Sequence, residues 1–241
     1  MFRKYMTLNS TQSYNIFIYC GGKCGSTSLL HTFVHNGMPT LHLHSEQYFQ
    51  TIYNTSISVF DIIDASCTTF SPVFIIDAYR PFLDRKISAF FQNIATFLPD
   101  YTSMDIQHLI DYFNTHLVND IENYHPMENE LLPHYHIPIW NSFDFECGYN
   151  RIDKDGKVFI KMRFTDIANW SNYLTQIFNT PFHIANTNVN MSSLYQQFVD
   201  NYTISPALFE IVMNNDPWFN MYTTPEERVA FRKKYNQPID Q

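Results

Sequence analysis

The stretch of residues 14–37 constrains the fold more than any other part of the sequence. It opens with Ile-Phe-Ile-Tyr at residues 16–19, a run rich in β-branched and aromatic side chains that predicts a buried strand. Residues 21–22 are both glycine and break the strand. Apolar residues at helical spacing begin at about residue 26, and Gly37 ends the helix. The stretch therefore predicts a strand, a glycine-rich turn and a helix.

This turn has the features of an anion-binding loop. A strand-to-helix turn directs several backbone N–H groups and the positive end of a helix dipole at one place, which favours a bound anion. Lys23 adds a full positive charge, and Ser26, Thr27 and Ser28 add hydroxyl donors. Turns rich in glycine and serine also occur without a ligand, so the loop alone leaves both interpretations open.

The position of the lysine indicates which known anion-binding loop this one resembles. The nucleotide-triphosphate loop G-x-x-x-x-G-K-[ST] has its lysine after the second glycine. Here the lysine comes first, an order that resembles the 5′-phosphosulfate loop of the sulfotransferases, typically P-K-[STA]-[GS]-[ST]-[ST]. Cys24 and the missing proline before Lys23 depart from that pattern. The resemblance implies that the donor-binding residues of the loop are Gly22, Lys23, Cys24, Gly25, Ser26, Thr27 and Ser28.

A second motif follows a second strand. Residues 73–78 form an almost wholly apolar run, which predicts a central parallel strand covered on both faces. Arg80 comes at the end of this strand, and Pro81 suits the start of a helix. Ser88 lies about two helical turns further on, where residues spaced by seven or eight share a face, so it can lean back toward Arg80. The carboxyl edge of a doubly wound sheet is its ligand edge, so the pair predicts a second anion site.

The second motif strengthens the resemblance. Sulfotransferases that use 3′-phosphoadenosine-5′-phosphosulfate bind the 3′-phosphate through R-[DN]-P-x-x-R-x-x-S, and Arg80, Arg85 and Ser88 keep that spacing, with the proline one position earlier. The run Ser-Ala-Phe-Phe-Gln-Asn from Ser88 resembles a bacterial branch described as capsular polysaccharide synthesis proteins. The structural alternative is an amphipathic helix with a solvated Arg–Lys face. Two motifs in the right order, each after a buried strand, favour the family.

This resemblance implies a fold and a reaction. The fold is an α/β P-loop-type three-layer fold, with a central, mainly parallel sheet flanked by helices and a helical C-terminal region. The reaction is sulfuryl transfer from 3′-phosphoadenosine-5′-phosphosulfate to a hydroxyl of a carbohydrate or similar acceptor, leaving 3′,5′-adenosine bisphosphate and requiring no metal. Sulfuryl transfer depends on in-line positioning and charge stabilisation. Lys23 would meet the charge that develops on the leaving oxygen, as its counterpart does in the family.

The acceptor hydroxyl must also lose its proton. In the family the base is a His or Glu carried by the segment after the first helix. Glu46, 23 residues beyond Lys23, resembles the glutamate of the heparan-type enzymes, whereas His44, at a predicted strand end, resembles the histidine of others. We rank these two together and His42 third. The structural alternatives are that His42 points into the core and that Glu46 is an acid in the first turn of a helix.

The length and charge of the chain restrict its class. With 241 residues it is long enough for one full core. We predict a single domain, with a donor-binding core at 14–98, an insertion that shapes the acceptor site at 99–140, and further strands and helices at 141–241. A net charge of −8 argues against nucleic acid or an anionic membrane as partner. The sequence shows neither a secretory signal nor a span-length apolar run, which predicts a cytoplasmic protein.

The rest of the chain predicts structure rather than chemistry. The segment 125–140, rich in His and Pro, predicts a long loop; its His125, His134 and His136 lack the Cys or carboxylate partners of a zinc site. Asp155-Gly156 predicts a hairpin turn. The four cysteines lack C-x-x-C spacing and predict reduced, buried thiols. The further predicted elements are helices at 103–123, 167–178, 191–202, 207–214 and 225–235, hairpin strands at 143–149 and 157–164, and a last strand at 181–185.

Two C-terminal features resemble family elements weakly. Residues 216–222 are similar to an Asp…Tyr element of carbohydrate sulfotransferases, but we favour aromatic packing of a helix pair. The family's basic loop over the 3′-phosphate has no clean match, because Lys and Arg are ordinary in a last helical turn. Its candidates are Arg228, Arg232, Lys233 and Lys234.

Three functions stay open on the sequence. The first is the sulfotransferase. The second is a nucleotide kinase or other phosphoryl-transfer enzyme on a related fold, which is weakened by the absence of a Gly-Lys-Ser/Thr sequence in the loop. The third is a non-catalytic nucleotide-binding relative. No motif identifies the acceptor or the oligomeric state.

Overall fold

The computed structural model describes residues 13–119, 124–184 and 193–235. These residues form two compact units, each with its own core. The first unit contains residues 13–79 and 124–184, and the second contains the rest. Our assignment of the whole chain to a single domain stays a prediction.

The first unit is built on a five-stranded sheet. The strands are β1 (Ile16–Tyr19), β2 (Thr40–Leu43), β3 (Val73–Tyr79), β4 (Tyr149–Lys154) and β5 (Lys157–Arg163). Their order in the sheet is β2-β1-β3-β5-β4, and all neighbours are parallel except β4, which runs antiparallel to β5. In the register, Ile18 lies opposite His42 on one side and Ile76 on the other. The prediction of an α/β fold with a central, mainly parallel sheet is confirmed.

Helices make up most of the remaining described structure. In chain order they are α1 (Ser26–His35), α2 (Glu46–Tyr53), α3 (Val59–Ser66), α4 (Phe82–Phe97), α5 (Ile106–Asn119), α6 (Leu132–His134), α7 (Trp170–Phe178), α8 (Ser193–Asn201), α9 (Pro206–Asn214), α10 (Phe219–Tyr222) and α11 (Pro225–Lys234). Short 3₁₀ turns occur at Tyr101–Ser103 and Phe164–Asn169, and a π-helical turn at Met127–Leu131. Within the described ranges, every helix is too short or too polar to cross a bilayer.

Both faces of the sheet are covered, because alternate strand residues point to opposite sides. Ile16 and Ile18 belong to a buried cluster with residues of α1 and α7. Phe17 and Tyr19 belong to a second cluster with residues of α2, α3 and the segment 127–132. This burial on both faces explains why β3 is almost wholly apolar. The first unit is therefore a sheet between two layers of helices.

The second unit is helical and its core is rich in aromatic residues. Phe198 of α8 packs against Phe90, Phe91 and Phe113, with ring centroids 5.0 to 6.0 Å apart. The predicted aromatic packing near the C-terminus is confirmed, since the rings of Phe219 and Phe231 lie 5.0 Å apart. The predicted helices at 207–214 and 225–235 are also confirmed.

Several predicted boundaries reach residues outside the described part of the chain. The helix predicted at 103–123 is α5, preceded by a 3₁₀ turn, and residues 120–123 lie outside the described residues. The same is true of residues 191–192 of the helix predicted at 191–202. The helix predicted from residue 167 begins at Trp170, after a 3₁₀ turn.

The prediction of a long loop at residues 125–140 is wrong for its first half. Residues 127–134 form the π-helical turn followed by α6. Met127, Leu131 and Leu132 are fully buried against the sheet. Pro133 lies in the first turn of α6, where a missing N–H group is harmless. The high content of His and Pro therefore led to the prediction of a loop where the chain is helical.

The hairpin turn is where the sequence predicts it, but its first strand is not. Asp155 and Gly156 have φ values of 47° and 74°, as a two-residue turn between twisted strands requires. The strand before the turn is β4, so the prediction of a strand at 143–149 is wrong. In the segment before β4, the N–H group of Asp144 donates to Asn150 Oδ1 at 2.8 Å. Such side-chain contacts offer the backbone an alternative to a strand ladder.

The last predicted strand is also wrong where the structure describes it. Residues 181–184 are irregular, and residue 185 lies outside the described residues. The N–H group of Phe182 donates to Thr175 Oγ1 at 3.0 Å, and that of Ile184 donates to Ser171 Oγ at 3.1 Å. Helix α7 thus supplies the partners that a neighbouring strand would supply.

Candidate anion-binding site

The predicted anion loop is the connection between β1 and α1, residues 20–25. From β1 the chain passes through α1 to β2 on one side, whereas β3 pairs with β1 on the other side. The loop thus lies at the carboxyl end of β1, where the strand order reverses. Crevices at such switch points are the usual ligand sites of open α/β sheets.

Gly25 fixes the shape of the loop. It caps the N-terminus of α1 in the left-handed conformation, with φ 87°. A Cβ atom at this position would lie 2.8 Å from Trp170 Cη2 and 3.1 Å from Phe164 Cδ2. The Trp170 indole donates to the backbone oxygen of Arg163 at 2.9 Å, which anchors the ring at the end of β5. Only glycine meets both the backbone and the packing requirement here.

The start of α1 is electropositive. Its N-cap residue, Gly25, has no side chain to cap the first turn, and that turn contains no acidic residue. The backbone N–H groups of the turn therefore present the positive end of the helix. Ser26 and Ser28 are buried, and Thr27 and Lys23 are half-buried. Lys23 has a positive φ of 67°, so the loop holds it in a conformation that few lysines adopt.

His44 is attached to the start of this loop. It follows β2 directly, and its Nδ1 lies 2.6 Å from the backbone oxygen of Cys20. Because a carbonyl oxygen can only accept, Nδ1 carries the proton and donates it. In the neutral ring the other nitrogen, Nε2, is then the acceptor, which is the form a general base requires. The structure therefore brings His44 and the loop to one edge of the sheet.

Glu46, the other leading candidate for the base, has structural partners. It is the first residue of α2, and its Oε2 accepts the Val59 N–H group at 2.9 Å, at the start of α3. Its Oε1 accepts from Gln50 Nε2, also at 2.9 Å. Oε2 thus connects α2 to α3, and Oε1 is held within α2. This geometry corresponds to the structural alternative for Glu46, an acid in the first turn of a helix.

His42 is the second-last residue of β2, so it lies just inside the carboxyl end of that strand. Its Nε2 is shielded from solvent and has no hydrogen-bond partner among the residues that the structure describes. Its ring centroid is 4.8 Å from that of His44. Burial, together with the nearby His44 ring, lowers the pKa of His42 to about 3. His42 is therefore neutral, as the alternative of a core histidine requires.

Glu130 contacts this edge of the sheet, and no sequence pattern pointed to it as a site residue. Its Oε2 accepts both the Tyr19 hydroxyl and the N–H group of Glu46, the latter at 2.9 Å. Burial raises the pKa of the Glu130 carboxyl, although these two hydrogen bonds oppose the shift. The one available signal was the apolar pair that follows it, Leu131 and Leu132, which is typical of a packed helix rather than a loop.

A buried ion-pair cluster joins β3, β5 and the π-helical turn, and it was also not predicted from the sequence. Lys161 Nζ lies 2.7 Å from Asp77 Oδ2 and 2.9 Å from Glu128 Oε2, and all three side chains are at most 1% exposed. Burial alone would lower the pKa of Lys161, but the two carboxylates outweigh it and raise the pKa. The available signal was Asp77 in the otherwise apolar β3 and Lys161 in the interior of β5, since buried charges require partners.

The second predicted motif lies in the second unit. β3 ends at Tyr79, and Arg80 is the next residue of the chain, half-buried. Pro81 caps α4, and Ser88 lies half-buried on its second turn. Arg85 is buried on the same helix, with its guanidinium 5.9 Å from the ring centroid of Phe82.

Three of the four C-terminal basic candidates make contacts within the second unit. Arg228 donates to the backbone oxygen of Thr223 at 2.6 Å. Arg232 pairs with Glu210 at 2.9 Å, and Lys234 with Asp84 at 2.6 Å. Lys233 is exposed. Arg228, Arg232 and Lys234 thus contribute to the packing of α9, α11 and α4.

Asp166 and Asp216 also have defined structural partners. Both oxygens of Asp166, in the first turn of the 3₁₀ segment, accept from Arg163, at 2.7 and 2.8 Å. Asp216 Oδ2 accepts the N–H group of Phe82 at 3.1 Å, at the first residue of α4. The Asp…Tyr element therefore begins with a residue that satisfies the N-terminus of another helix.

Two of the three histidines of the segment 125–140, His125 and His134, pack against aromatic rings. His125 stacks on Tyr79 and His134 on Phe60, with centroids 5.7 and 3.9 Å apart. Among the described residues, His, Cys, Asp and Glu form no group of three that could hold a metal ion.

All four cysteines are free thiols. Cys20 and Cys24 are buried as predicted, whereas Cys67 is half-buried and the prediction is wrong for Cys147, which is exposed. Cys147 lies in the turn before β4, where its N–H group donates to Asp144 Oδ1 at 2.9 Å.

At the carboxyl edge of the sheet, the first unit thus combines an electropositive loop, His44 with its Nδ1 on the loop backbone, and the Glu130 carboxylate, which connects the strand ends beside them. These groups can bind an anion and accept a proton from a neighbouring hydroxyl. Comparison of the chain with protein-family models, with curated proteins and with solved structures finds no match to any of them.

Proposed function

We propose that this protein is a sulfotransferase with a P-loop-type fold. It would transfer a sulfuryl group from 3′-phosphoadenosine-5′-phosphosulfate to a hydroxyl of a carbohydrate or similar acceptor. The observation that carries the proposal is the loop after β1, where Lys23 and the start of α1, with Gly25 as its N-cap and no acid in its first turn, lie at the switch point of the sheet. The sequence resembles the sulfotransferases in two motifs: Lys23 precedes Gly25 in the loop, and Arg80 and Ser88 keep the family spacing. This resemblance favours the phosphosulfate donor over other anionic ligands.

Each residue has one role in the proposed displacement. Ser26, Thr27 and Ser28 bind the 5′-phosphosulfate, while Arg80 and Ser88 bind the 3′-phosphate. The bond between sulfur and the bridging oxygen of the donor breaks as the acceptor oxygen bonds to sulfur. Lys23 stabilises the negative charge that grows on the bridging oxygen. The products are the sulfated acceptor and 3′,5′-adenosine bisphosphate.

His44 is the better candidate for the base. Its Nδ1–H donates to the Cys20 carbonyl, so Nε2 can accept the proton of the acceptor hydroxyl. Both oxygens of Glu46 accept hydrogen bonds, Oε2 from the Val59 N–H group at the start of α3 and Oε1 from Gln50 within α2. Protonating Glu46 in each turnover would disturb those contacts. His42 is shielded and its pKa is lowered to about 3, which makes it a weak base.

Thermal unfolding with added nucleotide tests the donor. Adenosine 3′,5′-bisphosphate at a hundredfold excess over its dissociation constant should stabilise the protein by about 2.7 kcal/mol. For a chain of this size that corresponds to a rise in Tm of roughly 5 to 11 °C. ATP with magnesium at the same concentration should give a smaller rise. A larger rise with ATP and magnesium would instead favour a phosphoryl-transfer enzyme.

Two variants test the base, using a radiolabelled donor and a panel of oligosaccharides as acceptors. His44→Ala should lower the transfer rate by about 10² to 10⁴-fold while bisphosphate affinity stays at the parental value. Glu46→Gln keeps an acceptor oxygen for the Val59 N–H group, so we expect a much smaller loss. A larger loss in Glu46→Gln than in His44→Ala would assign the base to Glu46. Tight bisphosphate binding without transfer to any acceptor would favour a non-catalytic relative.

A further inference from the structure

One carboxylate oxygen binds a neighbour of His44 and a neighbour of Cys20, the two residues that contact each other. Glu130 Oε2 accepts the hydroxyl of Tyr19, the residue before Cys20. The same oxygen accepts the N–H group of Glu46, two residues after His44, at 2.9 Å. Glu130 therefore connects the end of β1 to the end of β2 from a third segment of the chain.

This connection matters because the contact lies where the strands end. Tyr19 and Leu43 are the last paired residues of β1 and β2, and β2 is an edge strand. One further backbone hydrogen bond follows Tyr19: the Cys20 N–H group donates to the Leu43 oxygen, with 3.2 Å between nitrogen and oxygen. Strand ends and edges open more readily than the centre of a sheet. Without a further contact, the distance from His44 Nδ1 to its carbonyl partner would vary as the ends separate.

Glu130 itself is firmly placed. It lies in the π-helical turn, whose Met127 and Leu131 are fully buried against the sheet. The same turn carries Glu128, which binds Lys161 of β5 at 2.9 Å. The turn is therefore attached to the sheet by apolar packing and by a buried ion pair. π-helical turns of this kind occur frequently at functional sites.

We propose that Glu130 is a positioning residue that keeps His44 in its Nδ1-protonated tautomer and in one orientation. The catalytic consequence rests on the proposed function, because it requires His44 to be the base. The effect on the tautomer does not depend on any reaction. Glu130 acts here as a hydrogen-bond acceptor, so a side chain of similar length with an acceptor oxygen should replace it.

Long-range ¹H–¹⁵N NMR spectra of the histidine side chains test this inference, with His44→Ala to assign the His44 signals. Glu130→Gln retains an acceptor oxygen, whereas Glu130→Met removes it at similar length. Because Glu130→Met would leave the buried Tyr19 hydroxyl without its acceptor, the informative variant is Tyr19→Phe combined with Glu130→Met. His116 makes the same kind of contact, from Nδ1 to the backbone oxygen of Tyr112 at 2.8 Å, and serves as an internal reference.

We expect the parent and Glu130→Gln to show His44 protonated at Nδ1. The double variant should show averaged nitrogen shifts for His44, with the His116 signals unchanged. Its transfer rate should fall by about 10- to 100-fold, the loss typical of a displaced catalytic group, whereas Glu130→Gln should stay within a few-fold of the parent.

Two results would overturn the proposal. The first is a folded double variant whose His44 signals match those of the parent. The second is a Glu130→Gln variant as inactive as the double variant although its His44 signals are parental, since Glu130 would then take part in the reaction itself. A parent protein without transfer activity would refute the proposed function, but the His44 spectra would still decide whether Glu130 positions the ring.

Discussion

Replacing Gly25 by alanine should destabilise the protein through two separable effects. The first is backbone strain, since φ is 87° and a Cβ atom makes the left-handed conformation costly. The second is overlap, since that atom would lie 2.8 Å from Trp170 Cη2, closer than real Cβ contacts. Two other glycines separate these effects. Gly37 has a φ of 71° but no atom within 4 Å of the added Cβ, and Gly22 has neither a positive φ nor a neighbour within that distance.

The expected magnitudes follow from these three environments. A left-handed alanine costs about 1 to 2 kcal/mol. Overlap with a packed ring costs about 1 to 3 kcal/mol more. We therefore expect losses of about 2 to 5 kcal/mol for Gly25→Ala, about 1 to 2 for Gly37→Ala and none for Gly22→Ala. These losses are counted before a gain that is common to all three variants, because alanine stiffens the unfolded chain and so stabilises the protein by about 0.4 to 1 kcal/mol. Gly22→Ala should therefore be slightly more stable than the parent.

Urea unfolding followed by circular dichroism measures these differences as shifts of the midpoint at constant slope. The double variant Gly25→Ala with Trp170→Phe removes the nearest ring atom and should recover part of the loss relative to Trp170→Phe alone. Equal losses for Gly25→Ala and Gly37→Ala would show that the ring contact contributes nothing. A loss for Gly22→Ala as large as that for Gly25→Ala would refute the explanation based on local geometry.

Three further predictions concern charge. Arg80→Ala should weaken bisphosphate binding by roughly 10- to 100-fold with the free energy of unfolding unchanged, measured by calorimetry; unchanged affinity would remove Arg80 from the donor site. Lys23→Met should lower kcat far more than donor affinity, because its contact strengthens in the transition state; equal losses would make Lys23 a binding residue only. The lowered pKa of His42, about 3 against an ordinary 6.5, means that the folded state favours neutral His42. This stability is complete above pH 6.5 and is lost as pH falls toward 3, by up to about 1.4 kcal/mol per pH unit. Urea unfolding at several pH values should show this slope in the parent and not in His42→Leu; identical slopes would contradict it.

Features that depend on neighbouring residues were predictable from the sequence. The strand, turn and helix of residues 14–37 follow from apolar spacing and glycine positions, and β3 follows from an almost wholly apolar run. The Asp155-Gly156 turn was equally clear, because both residues accept the positive φ values it needs. Local chemistry determines each of these elements, so a single sequence is enough to predict them.

Features that depend on distant partners were not predictable. Phe143 and Phe145 alternate as strand residues do, yet their rings lie 5.3 and 4.8 Å from the Arg163 guanidinium. The side chains of Asp77 and Lys161 meet across a register that joins residues 84 positions apart. Spacing along the chain contains no information on that register.

The base candidates show the same limit. His44 and Glu46 fit the sequence pattern equally well, and their hydrogen-bond partners distinguish them only in three dimensions. Glu130, from a segment predicted as a loop, contacts both strand ends. The donor loop was therefore predictable from sequence and its supporting residues were not.

The pairing of β3 with β5 has a consequence for how the protein folds. β3 is complete at Tyr79, but its partner begins at Lys157, and the chain between them contributes α4 and α5 to the other unit. At about 5 to 20 residues per second, a ribosome needs roughly 4 to 16 s to synthesise the intervening segment. During that interval one edge of β3 has no strand to pair with, and unpaired apolar edges promote aggregation. The order of elements along the chain therefore sets the minimum duration of this vulnerable stage.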